Sequence, residues 1–139
     1  MNLPSSILSQ VRLMKTVSIS VALCTVFGCG GGEQMYSVRG TVTYGTEAVA
    51  EGTITFQNSE SGTTAQAALS PEGKYSVRVA PGKYKIMVEP PMVTETRGSD
   101  AGQTYKKVDN IPNNFRISDK TTLNSNVSSD ATLDFNLKK

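Results

Sequence analysis

Few residues of this 139-residue chain can do covalent chemistry, and one of them, Cys29, stands at a distinctive place. It follows the uncharged, largely apolar stretch 16–27 and is preceded directly by Gly28. Its sulfur is a nucleophile that can be alkylated, and a small preceding residue lets a peptidase approach the extended backbone. The chain contains no His, so Ser-His-Asp and Cys-His nucleophile pairs and imidazole metal sites are excluded.

The order Val26-Phe27-Gly28-Cys29 resembles the lipobox of bacterial lipoproteins, with an aliphatic residue at −3, a small one at −1 and then Cys. The resemblance implies cleavage between Gly28 and Cys29 and attachment of diacylglycerol to the Cys29 sulfur. As a helix, residues 16–27 would cover only about 18 Å of a hydrocarbon core about 30 Å thick. We therefore expect a signal peptide. An ordinary signal peptide with an incidental Cys is the alternative.

These features predict three segments: a lipoprotein signal peptide over 1–28, a lipidated Cys and flexible tether over 29–35, and a domain over 36–139. Translation could begin at Met1 or at Met14. Removing Arg12 and Lys15 with the signal leaves 14 − 2 = 12 Lys and Arg against 12 Asp and Glu. We expect a protein held at a bacterial membrane by the lipid on Cys29 alone, on the extracytoplasmic side.

After residue 35 the chain alternates apolar and polar residues with period two, and helical periodicity is nearly absent. Ser70-Pro71-Glu72-Gly73 and Ala80-Pro81-Gly82 are typical of tight turns between strands. The pattern predicts an all-β fold, a seven-stranded antiparallel β-sandwich, with strands over 36–44, 53–57, 64–69, 74–79, 83–88, 121–127 and 132–137. Its largest core residues are expected to be Phe56, Tyr75, Tyr84, Ile86 and Phe135.

Several of these segments resemble the carboxypeptidase regulatory-like domain. Residues 38–44 and 51–56 are similar to its opening hairpin, while Glu72-Gly73-Lys74-Tyr75 and Pro81-Gly82-Lys83-Tyr84 are similar to its Gly-x-Tyr and Pro-Gly-x-Tyr strands. Residues 111–115 and 133–137 resemble the ends of small bacterial lipoproteins built on that domain. Gly45-Thr46-Glu47-Ala48 departs from the family's first turn. The resemblance implies a transthyretin-like, Ig-like sandwich without catalytic residues of its own.

The connection 90–110 is predicted to be a long irregular loop and is the main candidate binding segment. In this interpretation Tyr105 is an aromatic anchor, Lys106 and Lys107 meet an anionic group, and Arg97 adds a further contact. The alternative is a solvated excursion whose small polar residues avoid structure.

Other charged residues are weaker candidates for metal or nucleic-acid binding. Asp100, Asp109, Asp119 and Asp130 lie in expected loops, but the EF-hand series is absent and no metal or other cofactor is expected. Four basic residues face outward from strands, and protection of sheet edges accounts for them: Arg39, Arg78, Lys83 and Lys85. Without interleaved exposed aromatics they do not indicate nucleic-acid binding.

The sequence thus favours a non-catalytic, lipid-anchored envelope domain with a structural or protein-binding role. The alternative is a small carbohydrate- or peptide-binding surface lipoprotein that uses the 90–110 loop. The expected partner beyond the membrane is an envelope protein or glycan. A hydrolase is disfavoured because the inventory of catalytic residues is so poor.

Overall fold

The computed structural model describes residues 32–97 and 100–138, and the predicted signal peptide and Cys29 lie outside this range. The described chain is all-β, as predicted, with eleven strands rather than the seven expected and one short 3-10 turn at Asn113–Phe115. No helix in it is long and apolar enough to cross a membrane. The strands are β1 (Tyr36–Tyr44), β2 (Glu47–Ala48), β3 (Thr53–Asn58), β4 (Thr64–Ala68), β5 (Lys74–Val79), β6 (Gly82–Glu89), β7 (Met92–Arg97), β8 (Asp100–Tyr105), β9 (Asn124–Val127), β10 (Ala131–Thr132) and β11 (Phe135–Asn136).

Two sheets form the sandwich. In the first sheet β1 is central, with β5 antiparallel along one edge, β10 and β11 parallel along the other, and β2 paired with the end of β1. The second sheet has the order β4-β3-β6-β9 and is antiparallel throughout. The sheets pack face to face. The ring centroid of Phe56 on β3 lies 5.8 Å from that of Tyr75 on β5 and 6.3 Å from that of Phe135 on β11.

The core agrees with the sequence prediction. All five expected members are at most 9% exposed: Phe56, Tyr75, Tyr84, Ile86 and Phe135. Thr55 is an exception to the predicted alternation, because it was expected to face water and is 2% exposed. It lies on the central strand β3, and its hydroxyl accepts a hydrogen bond of 3.2 Å from the Gln66 side chain on β4. Neighbouring side chains on a central strand thus cover a small outward residue.

The strand order gives the sandwich two distinct ends. β1 begins at Tyr36, which pairs with Val79 at the end of β5. β6 begins at Gly82, directly after the turn that follows β5. We call this end the N-terminal pole. β1 ends at Tyr44 and β6 ends at Glu89, which pairs with Thr53 at the start of β3. We call this end the far pole.

The two predicted turns are present, but they join strands of different sheets. The Gly73 amide donates to the Ser70 carbonyl at 2.8 Å with Gly73 at φ 71°, a conformation that glycine adopts at little cost. This turn leads from β4 in the second sheet to β5 in the first, and Ala80-Pro81 leads back to β6 in the second. Turn residues fix a reversal of the chain, but they do not decide which sheet the next strand joins.

The closing strand differs from the prediction in direction and length. It was expected to be antiparallel over 132–137, but β10 and β11 are two short segments parallel to β1. The direction follows from the connection, because β9 ends at Val127, opposite Gly82 at the N-terminal pole. A chain that crosses to the first sheet at that pole must then run the same way as β1.

The expected irregular loop 90–110 contains a β-hairpin. β7 and β8 pair antiparallel from Met92 opposite Tyr105 to Arg97 opposite Asp100. The described side chains of this hairpin are exposed, with half-buried Val93 as the exception. A strand with water on both faces shows no apolar alternation, which is why the sequence pattern did not reveal it.

Candidate functional site

The hairpin leaves the far pole and is fixed there by contacts at its base. The Tyr105 hydroxyl donates to Oε1 of Glu89, the last residue of β6, at 3.0 Å. The Lys106 ammonium forms an ion pair of 2.7 Å with the Glu51 carboxylate, just before β3. The Lys106 amide also donates to the Pro91 carbonyl at 2.8 Å. The first two contacts tie the end of β8 to Glu89 and Glu51 at the far pole, and the third joins the two ends of the hairpin to each other.

Tyr105 and Lys106 therefore already have polar partners within the chain. The hydrogen bond to Glu89, together with its negative charge, raises the pKa of the Tyr105 hydroxyl, which stays protonated and able to donate at neutral pH. The charge of Lys106 is balanced by Glu51, so this lysine is not an unpaired cation awaiting an anion. Tyr105 is 46% exposed and remains available as an apolar contact. Lys106 therefore has an acidic partner within the chain, and Tyr105 remains a candidate binding residue.

Lys107 lies beside the hairpin base in an open depression of about 370 Å³. The depression mixes charges of both signs with polar groups and is lined by Tyr44, Glu47, Glu51, Lys107, Val108, Asp109 and Asn110. The buried side-chain oxygen of Asn110 accepts no hydrogen bond from the described residues. Because this oxygen is buried, a partner in the depression would contact the charged and polar side chains that line it instead.

Three of the four predicted binding residues lie at the base of the hairpin. Tyr105, Lys106 and Lys107 are consecutive at the hairpin base, whereas Arg97 ends β7 at the other end of the hairpin. Arg97 is five residues beyond Met92, which at the usual strand rise is about 17 Å away along β7. The Arg97 side chain is outside the described part, as are Gly28 and Cys29.

The remaining acidic candidates are not assembled into a metal site. Across residues 32–97 and 100–138, no three Cys, Asp or Glu side chains lie close enough to hold an ion. Asp130 has a structural contact instead, because its Oδ1 accepts the Ser37 amide of β1 at 2.7 Å. The Asp100 side chain lies outside the described residues.

The four outward-facing basic residues are divided between two surfaces. Arg39 and Arg78 are on the first sheet, while Lys83 and Lys85 are on β6 in the second. Because β6 is flanked by β3 and β9, protection of a sheet edge cannot account for its lysines. That part of the sequence interpretation is wrong.

Sequence reasoning missed this hairpin, whose two outer edges are unpaired within the described chain. The signal was present in the β-favouring residues Val93, Thr94, Thr104 and Tyr105 on either side of Gly98, a residue favoured in two-residue hairpin loops.

Comparison with known proteins identifies no relative: no family model, curated protein or solved structure matches this chain. The likeness to the carboxypeptidase regulatory-like domain therefore rests on the quoted sequence segments, and the fold rests on the strands described above.

Proposed function

We propose that this chain is a non-catalytic, lipid-anchored module of a bacterial envelope that displays the hairpin of β7 and β8 to a protein partner. The lipid would be attached at Cys29, and the tether 29–35 would enter the domain at Tyr36. The domain itself would be a carboxypeptidase regulatory-like sandwich that serves as a rigid support.

The observation that carries this proposal is the placement of the hairpin. β1 starts at the N-terminal pole, where a tether from Cys29 would arrive, while the hairpin leaves the far pole after Glu89. Strand β6 between the poles has eight residues, which corresponds to about 25 Å of extended chain. An anchored domain of this geometry can hold the hairpin away from the lipid surface.

The hairpin has the properties of a binding element. An isolated two-stranded hairpin is only marginally stable in water, so a third strand or another covering surface would stabilise it. Its unpaired edges offer backbone N–H and C=O groups to an extended segment of a partner, which is the basis of recognition by strand addition. Met92 and Tyr105, 57% and 46% exposed, add apolar area at the base.

The lack of catalytic activity is supported by composition rather than by any one contact. The full sequence has no His, and its described Asp and Glu residues are dispersed or engaged in structural contacts.

The test is affinity capture from the native envelope with the lipidated protein. Replacing residues 93–104 by Gly-Gly leaves Met92 and Tyr105 joined by a two-residue loop and preserves the contacts at the base. We expect this variant to keep the wild-type melting temperature and to lose the captured partner. The matched control is Met35→Ser, which removes an exposed apolar residue before β1, at the opposite pole. Capture by the shortened variant at the wild-type level would contradict the proposal.

A further inference from the structure

The outward face of the second sheet carries a surface that is rich in hydrogen-bond donors and cations. Lys83 and Lys85 are both exposed on β6 and point to the same side, because residues two apart on a strand share a face. Lys83 pairs in register with Asn126 of β9, and Lys85 lies between Asn124 of β9 and Gln57 of β3. We call these five residues the donor face.

The charge on this face is not compensated. No carboxylate lies among the residues that line the accompanying depression of about 390 Å³, and neither lysine forms an ion pair with the described part of the chain. Glu89 is the acidic residue on the same side of β6, four residues beyond Lys85, and its carboxylate accepts the Tyr105 hydroxyl. The five residues of the donor face thus carry two positive charges and no negative charge, although the protein as a whole is nearly neutral.

The first sheet provides the contrast. Arg39 also faces outward there, but it shares its depression with Asp130. The outward side of that sheet also holds Asp134, whose Oδ1 accepts the Thr41 amide at 2.7 Å. Arg39 thus has a carboxylate within its own depression, whereas the depression of Lys83 and Lys85 has none.

We propose that the donor face binds an acidic glycan of the envelope. Lys83 and Lys85 would bind its carboxylate or phosphate groups, because ammonium groups form strong charge-assisted hydrogen bonds with such anions. The side-chain amides of Gln57, Asn124 and Asn126 can each donate to and accept from sugar hydroxyls. Sugar hydroxyls next to anionic groups match this alternation of amides and ammonium groups. The proposal rests on the envelope location of the proposed function, but not on the hairpin or on the lipid itself.

The experiment measures retention of the full chain, purified in neutral detergent, on immobilised polygalacturonate and on a phosphate-bearing mannan, with dextran as the neutral polymer. We expect retention on at least one anionic polymer, weaker binding in higher salt, and none on dextran. The absence of retention on both anionic polymers would overturn the proposal.

The key comparison uses two double variants with the same change of net charge. Lys83→Gln with Lys85→Gln should weaken binding about tenfold or more, which corresponds to about 1.4 kcal/mol. Arg39→Gln with Arg78→Gln should change it less than about twofold, since charge-assisted bonds act at contact distance. Equal weakening by the two pairs would show attraction by net charge alone and would overturn the proposal.

Two further arms test the amides and the source of the anion. Asn124→Ala with Asn126→Ala leaves the charge unchanged and should still weaken binding several-fold. Unchanged binding would contradict the glycan assignment.

Soluble short-chain phosphatidylglycerol should not displace the polymer at equal anion concentration. If it displaces the polymer, the face binds lipid headgroups and the proposal is wrong.

Discussion

Gly40 lies where the C-terminal segment crosses β1, and no larger residue fits there. A Cβ at this position would overlap the Leu133 carbonyl oxygen, which also accepts a hydrogen bond of 2.7 Å from the Tyr75 hydroxyl. Tyr75 is the register partner of Gly40 on β5, so the absence of a side chain on β1 leaves room for this contact. One residue type thus permits the C-terminal segment to join the first sheet.

The first prediction concerns that fit. Gly40→Ala should destabilise the domain by about 2–3 kcal/mol, because the Leu133 backbone must shift and the hydrogen bond of Tyr75 is disturbed. Gly102→Ala is the matched control, since nothing lies within 4 Å of a Cβ at Gly102 on the exposed strand β8. That variant should stay within about 0.5 kcal/mol of wild type in urea unfolding. Equal stability of the two variants would refute the crowding argument.

The second prediction concerns the ionisation of Tyr75. Burial raises the pKa of the Tyr75 hydroxyl, and the negative charge of Asp134 raises it further. The folded pKa lies above the unfolded value of about 10, so the stabilisation is complete below that pH and is lost as the pH rises toward the folded pKa.

Tyr75→Phe should therefore cost about 1–2 kcal/mol at neutral pH, because the Leu133 carbonyl loses its donor. It should also make stability fall less steeply between about pH 10 and pH 12 than in wild type. Urea unfolding across this range measures both effects. Tyr36→Phe is the control, since its hydroxyl donates to no group in the described chain. A wild-type alkaline slope in Tyr75→Phe would contradict the assignment.

At the scale of elements, the C-terminal segment is attached to β1 partly by side chains. Oxygens of Asp130, Asp134 and Asn136 accept the backbone amides of Ser37, Thr41 and Gly45, at 2.7, 2.7 and 3.0 Å. These bonds lie where the parallel pairing of β10 and β11 is short or interrupted.

The third prediction follows from this attachment. Asp134→Ala should cost about 1–2 kcal/mol, since it removes the acceptor of the Thr41 amide. Asp134→Asn should cost less, because the amide oxygen can still accept. Hydrogen exchange should show faster exchange at Thr41 in the alanine variant than in the asparagine variant. Identical protection of Thr41 in wild type and Asp134→Ala would count against the side-chain attachment.

The sequence predicted the elements wherever one side of a strand faces the core. β1 and β5 agree with the predicted bounds at both ends, and Phe56 and Tyr84 lie in the core as expected. Apolar alternation did not reveal the hairpin of β7 and β8, whose described side chains are nearly all exposed. The sequence could not predict the parallel direction of β10 and β11, which depends on the pole at which the chain changes sheets. The ion pair of Lys106 with Glu51 joins residues far apart in the sequence, so it could not be predicted before the fold was known.

At the scale of the whole molecule, the described domain separates three surfaces. The first residues of β1 lie at one pole, the hairpin leaves the other, and the donor face lies on the outward side of the second sheet. If Cys29 carries a lipid, the anchor, the displayed hairpin and the glycan surface would not compete for the same residues.

The anchor is the claim on which the proposed function depends most directly, and the N-terminal peptide of the native membrane-bound protein tests it. The account predicts that mass spectrometry finds Cys29 as the first residue, with its sulfur carrying diacylglycerol, and that Cys29→Ser protein leaves the membrane fraction. A membrane-bound protein that begins at another residue, or a Cys29→Ser variant that stays in the membrane fraction, would contradict it.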